Sequence, residues 1–137
     1  MEAYDGPDDR ASHAHRGRTR RNTPMFEPGG IAYVYLVYGM HHCLNLVTGE
    51  RGYPAAVLVR ATDPPTDGCR TSGPGLVARA FGIDRGLDGA SVVGRELWLE
   101  HGAPVDDRHV RRTARIGVDY AGAWARRRYR FVVSAGT

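Results

Sequence analysis

Asn45 and Arg60 are polar residues in segments that are otherwise apolar. Asn45 lies inside the apolar run 43–47, and Arg60 continues the alternation set by Ala56 and Leu58. A buried amide needs a hydrogen-bond partner or a cavity, and a buried guanidinium needs a carboxylate or an anionic ligand. Each residue therefore either belongs to a polar site or lies at a strand edge or end that reaches solvent.

Aromatic side chains are concentrated just ahead of these two residues, at Tyr33, Tyr35 and Tyr38. Aromatic residues in a strand usually fill the core. In a basic protein they also act as stacking platforms for nucleic-acid bases. The sequence leaves both interpretations open.

The histidines do not have the spacing of a metal site. His13 and His15 are separated by one residue, His41 and His42 are adjacent, and neither pair has a Cys or Glu cluster nearby. Zinc is held by three or four such ligands. We therefore expect no metal, and the sequence contains no phosphate-loop, dinucleotide-binding or nucleophilic serine motif.

The positive charge is carried entirely by arginine: the formal net charge is +4, and all 19 basic residues are Arg. Two groups are dense in arginine, namely Arg16, Arg18, Arg20 and Arg21, and Arg108, Arg111, Arg112, Arg115, Arg126, Arg127, Arg128 and Arg130. Such clusters on an ordinary domain favour a polyanionic partner, although a solvated face gives the same pattern.

Hydrophobic patterning predicts a sheet with few helices. The predicted strands are 31–38, 43–48, 55–61, 97–101 and 129–133. Residues 3–30 are predicted to be a long ordered loop with one helical turn near 7–11. A short helix capped by Ser72 is predicted to run through Phe81.

The length predicts one domain over residues 1–137. The order of elements indicates an α+β fold. We expect a curved, mainly antiparallel β-sheet, a partly open barrel or roll, flanked by short helices and long loops.

The sequence resembles the alkyladenine (3-methyladenine or methylpurine) DNA glycosylase family over nearly its whole length. The segments that carry the resemblance are Glu2–His13, Met25–Phe26, Pro28–Gly29, Tyr33–Met40, Cys43–Asn45, Val57–Ala61, Ser72–Gly75 and Arg115–Arg126. They occur in the family's order.

The resemblance implies a role for individual residues. Glu2 occupies the position of the general base that activates water, and Arg60 the position that helps to hold the water and the carboxylate. The resemblance places Tyr4, His13 and Tyr35 around the flipped base. Asn45 occupies the position that rejects normal guanine by crowding its exocyclic amino group.

The remaining implied roles concern DNA. Tyr38 matches the side chain that enters the minor groove and fills the vacated stack, with Met40 and His41 beside it on the hairpin tip. Arg18, Arg21 and Gly73 are also expected to bind DNA.

The implied activity is monofunctional. An enzyme that also cuts the strand commonly attacks through an amine, and the chain has no Lys. A base must leave the duplex before it can be reached, and cationic alkylated purines favour electron-rich rings. We expect alkylated or deaminated purines of the 3-methyladenine and hypoxanthine type to be hydrolysed from double-stranded DNA without a cofactor.

The sequence departs from the family at three places. The family has several strands before the position of Glu2, so the resemblance predicts that these are lacking, that Glu2 lies on a fraying terminus, and that activity is impaired. Leu76 stands where Lys is common, which predicts the loss of one phosphate contact. The segment between Arg60 and Ser72 is also shorter than in vertebrate members.

Two other functions remain as alternatives. The first is a DNA-binding remnant that has lost catalysis, and the second is an RNA-binding β module that exposes Tyr33, Tyr35 and Tyr38. For the favoured function we expect a monomer in a bacterial cytoplasm, associated with the nucleoid and with no membrane partner.

Overall fold

A computed structural model of the protein describes residues 1–133, in which six antiparallel strands form one open sheet in the order β2-β3-β4-β1-β6-β5. The strands are β1 (Glu2–Asp5), β2 (Ala32–Val37), β3 (His41–Val47), β4 (Ala55–Leu58), β5 (Val110–Thr113) and β6 (Arg130–Val133). Strands β2 and β5 are the edges. The predicted α+β fold with a mainly antiparallel sheet is confirmed.

Strands β2 and β3 form a hairpin whose tip departs from ordinary backbone geometry. Tyr38 has a φ of 53° and Gly39 a φ of 67°. Such positive values are uncommon for a residue with a bulky side chain, whereas glycine adopts them freely. The tip therefore turns through one strained residue and one permissive residue.

The strand register aligns one row of residues across most of the sheet. Tyr33 pairs with Asn45, Asn45 with Leu58, Leu58 with Glu2, and Glu2 with Arg130. Directly paired residues share a face, so this row lies on one side of the sheet.

The opposite face carries the larger apolar cluster. Ala32, Val34 and Leu44 pack there against Ala78, within the one α-helix of residues 1–133, and against Ile83, just beyond that helix. That helix, α1, spans Pro74–Phe81, and the αL residue Gly82 ends it. Because this cluster covers one face of the sheet, only the face that carries Tyr33, Asn45, Leu58 and Glu2 can contribute to a site.

The N-terminal loop covers part of the free face. Met25, in a 3₁₀ helix at Thr23–Phe26, and Ala14 pack on Tyr33, Val47 and Ala56. Further 3₁₀ helices span Arg85–Leu87, Asp107–His109 and Asp119–Arg126, the last broken at Gly122.

The prediction that residues 3–30 are a long loop with one helical turn near 7–11 is wrong at its start, because residues 3–5 belong to β1, and the helical turn lies at Thr23–Phe26. The prediction that Glu2 frays is also wrong. Glu2 is fully buried in β1, between β4 and β6. Backbone bonds from Ala3 N–H to Tyr129 O and from Phe131 N–H to Met1 O tie β1 to the last strand. These long-range bonds satisfy the backbone groups of this short segment.

Two other strand predictions need correction. The segment 97–101 makes only one isolated bridge, from Trp98 to Val93, and Trp98 and Leu99 are more than half exposed. The Arg-rich segment Val110–Thr113 is instead the edge strand β5. An edge strand is half solvated and needs little apolar alternation.

The ends of two predicted elements also shift. Strand β4 ends at Leu58, and Ala61 makes only an isolated bridge to Ser72. Because this bridge occupies Ser72, the residue that caps α1 is Gly73, with no side-chain capping bond. None of the helices within residues 1–133 has the length and apolar character needed to cross a bilayer.

Candidate active site

A cavity of about 500 Å³ opens on the free face of the sheet. It is enclosed by strands β1–β4, the N-terminal loop and the segment that follows β5. Its lining includes Tyr4, His13, Arg21, Tyr33, Tyr35, Tyr38, Asn45, Arg60, Ile116 and Tyr120. The structure thus brings together all four predicted base-pocket residues with Arg60, Arg21 and Tyr38.

Glu2 lies immediately behind this lining and is completely buried. Its Oε1 accepts a hydrogen bond from the Tyr4 hydroxyl at 3.1 Å, and its Oε2 accepts one from the Ile116 backbone N–H at 2.7 Å. Burial and the neighbouring Glu2 charge raise the pKa of the Tyr4 phenol, so Tyr4 stays protonated as a donor at neutral pH.

Arg60 is the cationic partner of Glu2. Its Nε lies 2.9 Å from Glu2 Oε1, and 22% of its side chain is exposed. This Nε–H is not aligned for a hydrogen bond to any group in residues 1–133, so the contact is an ion pair. The prediction that Arg60 shares a face with Ala56 and Leu58 is confirmed by its place in the lining beside Leu58.

A second ion pair, between Asp9 and Arg115, is wholly buried. Both terminal nitrogens of Arg115 bond to the Asp9 carboxylate, at 2.6 and 2.9 Å. Burial alone would raise the pKa of Asp9, but its hydrogen bonds from Arg115 and from the backbone N–H groups of Asp5 and Ala11 hold that pKa below its usual value. The assignment of Arg115 to a basic surface cluster is therefore wrong, because its charge is internal.

Aromatic rings build the wall formed by β2. The ring centroids of His13 and Tyr35 are 4.5 Å apart, and those of Tyr33 and Tyr35 are 5.3 Å apart. His13 Nδ1 lies 3.2 Å from the Tyr33 hydroxyl. Burial lowers the pKa of His13, and the Arg21 cation lowers it further, so the imidazole is neutral at pH 7.

Asn45 is fixed on the floor of the cavity. It is 4% exposed, and its Nδ2 donates to the Tyr33 carbonyl at 3.2 Å. Because Asn45 pairs with Tyr33 and Tyr35 pairs with Cys43, Tyr35 lies diagonally across from Asn45 on the same face. The expectation that Tyr35 and Asn45 line one pocket is confirmed.

The hairpin tip lies at the rim. Tyr38 is 90% exposed and Met40 is 73% exposed. A second cavity of about 440 Å³ continues past Tyr38 and Arg60 towards α1, with His41, Gly73 and Arg79 in its lining. Met40 is absent from the lining of both cavities.

The two basic residues predicted as DNA contacts have different surroundings. Arg21 donates to the Leu36 carbonyl at 2.9 Å, with its guanidinium 5.2 Å from the centre of the Tyr35 ring. Arg18 lies 3.6 Å from Glu27 in an exposed ion pair. Arg21 is therefore part of the cavity wall, and Arg18 belongs to a surface charge pair.

The exposed aromatic face required by an RNA-binding module is not formed by the three tyrosines of the hairpin. Tyr33 is 1% exposed and Tyr35 is partly buried, so of the three only Tyr38 presents a free ring. Among the residues that the structure describes, no group of three His, Cys, Asp or Glu side chains is arranged to hold a metal ion.

The sequence did not single out Asp9, Ile116 or Tyr120. Tyr120 lines the cavity and donates from its hydroxyl to the Ala11 carbonyl at 3.1 Å. Local patterning gives no signal for such contacts, because each joins the N-terminal loop to a segment far along the chain. Only the resemblance pointed to this region, because Asp9 and Arg115 lie in two of the segments that carry it, Glu2–His13 and Arg115–Arg126.

Sequence comparison relates the chain to known proteins. The family model of methylpurine-DNA glycosylases matches residues 1–136. A relative from Anaeromyxobacter sp. (strain Fw109-5) is 51% identical over 96% of this chain and 69% of its own length. Another, from Anaeromyxobacter dehalogenans (strain 2CP-1 / ATCC BAA-258), is 52% identical over 96% of this chain and 63% of its own.

A relative from Myxococcus xanthus (strain DK1622) is 49% identical over 96% of this chain and 70% of its own length. All three carry the provisional name 3-methyladenine DNA glycosylase. The chain spans between 63% and 70% of the length of these relatives. The family model matches nearly the whole chain, and about half of the aligned residues are identical in these relatives. The chain therefore belongs to the methylpurine-DNA glycosylase family.

Proposed function

We propose that the protein removes damaged purines from double-stranded DNA by hydrolysing the bond between the base and the deoxyribose. A water attacks C1′, its proton passes to the Glu2 carboxylate, and the electron pair of the broken bond leaves with the purine nitrogen. The product is an intact strand with an abasic site. No metal or cofactor takes part in this proposal.

The observation that carries the proposal is the fully buried Glu2 carboxylate behind an aromatic cavity, paired with Arg60 at 2.9 Å. A buried charge persists only when it is paired and hydrogen-bonded. Glu2 has both kinds of partner in Arg60, Tyr4 and Ile116. A water reaches Oε1 when the incoming nucleotide displaces the contact from Tyr4 or Arg60, and the remaining partners hold the carboxylate in place.

The rings support recognition of a cationic purine. The electron-rich rings of Tyr33 and Tyr35 line the cavity, with their centroids 5.3 Å apart. An alkylated purine carries its charge in a flat ring and combines stacking with cation–π attraction. Neutral His13 adds no repulsion. Asn45 excludes normal guanine by occupying the space of its exocyclic amino group.

Tyr38 and the second cavity support binding of duplex DNA, and we propose that a single copy of the chain binds it. The exposed Tyr38 ring enters the stack and props open the gap, as apolar wedges do in other DNA-bending proteins. Met40 lies beside it in the groove. Gly73 and Arg79 line the second cavity, and we expect them to bind the adjoining phosphate, which offsets the absence of a lysine at Leu76.

The test compares the unmodified protein with Glu2→Gln on duplexes that contain hypoxanthine or 3-methyladenine. Glutamine has nearly the same shape but cannot take up the proton. We expect excision to be abolished and DNA affinity to be retained, since the carboxylate serves the water and repels phosphate. The matched control is Glu96→Gln, because Glu96 is exposed and is not part of the cavity lining.

Two outcomes would change the proposal. Excision by Glu2→Gln at the unmodified rate would show that Glu2 is not the base. Tight binding of lesion-containing DNA without excision by the unmodified protein would favour the catalytically inactive remnant.

A further inference from the structure

Arg115 is the most heavily bonded side chain near the candidate active site. It is 5% exposed and bonds to both oxygens of Asp9, to the Ala3 carbonyl at 2.9 Å and to the Trp124 carbonyl at 3.2 Å. Its guanidinium also lies 4.8 Å from the Tyr4 ring centre. One side chain thus joins β1, the N-terminal loop and the 3₁₀ helix at Asp119–Arg126.

These bonds fix the chain on both sides of the Glu2 carboxylate. Ala3, whose carbonyl accepts from Arg115, directly follows Glu2. Ile116, whose N–H donates to Glu2 Oε2 at 2.7 Å, directly follows Arg115. Tyr4, whose ring lies against the guanidinium, donates to Glu2 Oε1. Arg115 therefore restrains the neighbours of Glu2 without touching its carboxylate.

We propose that Arg115, held by Asp9, is a positioning residue that sets the Ile116 N–H and the Tyr4 hydroxyl against Glu2 and so aims the carboxylate at the attacking water. This inference rests on the proposed function, in which Glu2 is the base. A wholly buried ion pair often adds little net stability compared with apolar residues of similar volume. The directed bonds of Arg115 are therefore better explained by geometry than by stability.

The first test is Arg115→Lys, which keeps the charge but loses the planar fork that makes two parallel bonds. Displacing a reacting group by about 1 Å costs about 100-fold in rate. We expect the single-turnover excision rate at saturating protein to fall about 100-fold. Affinity for a duplex with a stable abasic-site analogue should stay unchanged. Arg95→Lys, which changes an exposed arginine outside the cavity lining, is the matched control.

The second readout separates positioning from a general loss of stability. The Ile116 amide proton is followed by NMR, since its hydrogen bond to a carboxylate gives it a distinct chemical shift and protection from exchange. In Arg115→Lys we expect this amide to shift and to exchange faster, while Val34 and Leu44 in the β2–β3 hairpin stay unchanged. A purely structural role predicts equal loss of protection at all three amides.

A double variant in which both members of the ion pair are replaced by neutral residues tests the proposal if Arg115→Lys fails to fold. Asp9→Asn combined with Arg115→Met leaves no stranded charge, and the side-chain oxygen that remains at position 9 can still accept the hydrogen bond from the Ala11 N–H. We expect this double variant to bind the abasic-site duplex but to excise slowly. An unchanged excision rate in a folded variant of either kind would overturn the proposal. A Glu2→Gln protein that still excises would instead refute the function on which it rests.

Discussion

The side chains of Glu2 and Arg60 meet on one face of the sheet, with Oε1 and Nε 2.9 Å apart. The β1–β4 register accounts for this contact. Glu2 pairs with Leu58, and Arg60 follows Leu58 by two residues, so its side chain returns to the same face. The ion pair therefore depends on β1 being inserted between β4 and β6.

Removing Arg60 should destabilise the protein because Glu2 remains buried. Arg60→Ala leaves the carboxylate with only Tyr4 and Ile116 as partners. We expect a loss of about 3 kcal/mol in the free energy of unfolding, the lower end for a broken buried pair, since Arg60 is partly exposed. Arg60→Lys should lose less because the charge is kept. Urea unfolding measures both, and equal stability of Arg60→Ala and the unmodified protein would contradict the ion pair.

The sequence predicted the parts of this site that rest on local alternation. The patterns at 31–38 and 43–48 predicted the hairpin, but they left its register open, and Tyr35 and Asn45 were expected in one pocket only because of the roles that the resemblance implies. The alternation of Ala56, Leu58 and Arg60 placed Arg60 on the same face as Leu58. Local patterning could not show that β1 lies between β4 and β6, because pairing between distant segments leaves no periodic trace in either one.

The buried pair of Asp9 and Arg115 was hidden for a related reason. Charged residues are mostly exposed, so an arginine in an Arg-rich region is assigned to the surface unless its distant partner is known. The edge strand β5 was missed because its Arg residues obscure the strand pattern. In the segment 97–101, apolar residues suggested a strand that finds no partner beyond one bridge.

Tyr38 should contribute to DNA binding and little to folding. Its ring is 90% exposed, and exposed substitutions change stability by about 0.5 kcal/mol or less. Tyr38→Asn suits the positive φ of this position and removes the ring. We expect an unchanged melting temperature and a loss of about 1–3 kcal/mol of stacking in binding to lesion-containing duplex. Tyr38→Phe is the control that keeps the ring. A large fall in melting temperature would instead assign Tyr38 to the core.

Asn45 should set the discrimination against guanine through its volume. Asn45→Ser opens space on the cavity floor, and we expect excision of guanine relative to hypoxanthine to rise about tenfold, within the range that small changes in pocket volume produce. Asn45→Leu keeps the branched shape with a larger volume and should still exclude guanine despite losing the bond to the Tyr33 carbonyl. Competition assays on paired duplexes measure the ratio. Equal ratios in the Ser and Leu variants would show that volume does not control selection.

The product should be an intact abasic site. Strand cleavage through a Schiff base requires an amine, and the chain has no Lys. We expect borohydride to trap no protein–DNA adduct during turnover on hypoxanthine duplex, and strand breaks to appear only after alkali treatment. A trapped adduct would identify the terminal amine as a nucleophile and would contradict hydrolysis by water.

Protonation of His13 in acid should destabilise the folded protein and weaken its binding of cationic purines. Burial and the Arg21 cation lower the pKa of His13 below its ordinary value of 6.5. The unfolded chain therefore takes up this proton at higher pH than the folded protein does. The stability that neutral His13 contributes is fully present above pH 6.5 and is lost as pH falls from there towards the folded pKa.

The same proton should repel an alkylated purine, because the imidazole ring lies 4.5 Å from Tyr35 in the cavity wall. We expect affinity for a duplex with a cationic lesion to fall with the protonation of His13, and affinity for one with hypoxanthine to fall less. Arg21→Gln removes the nearby cation and should move the NMR titration midpoint of His13 upward. Arg18→Gln, which changes an arginine paired with Glu27, should leave it in place. If both variants leave the midpoint unchanged, Arg21 does not control the charge of His13.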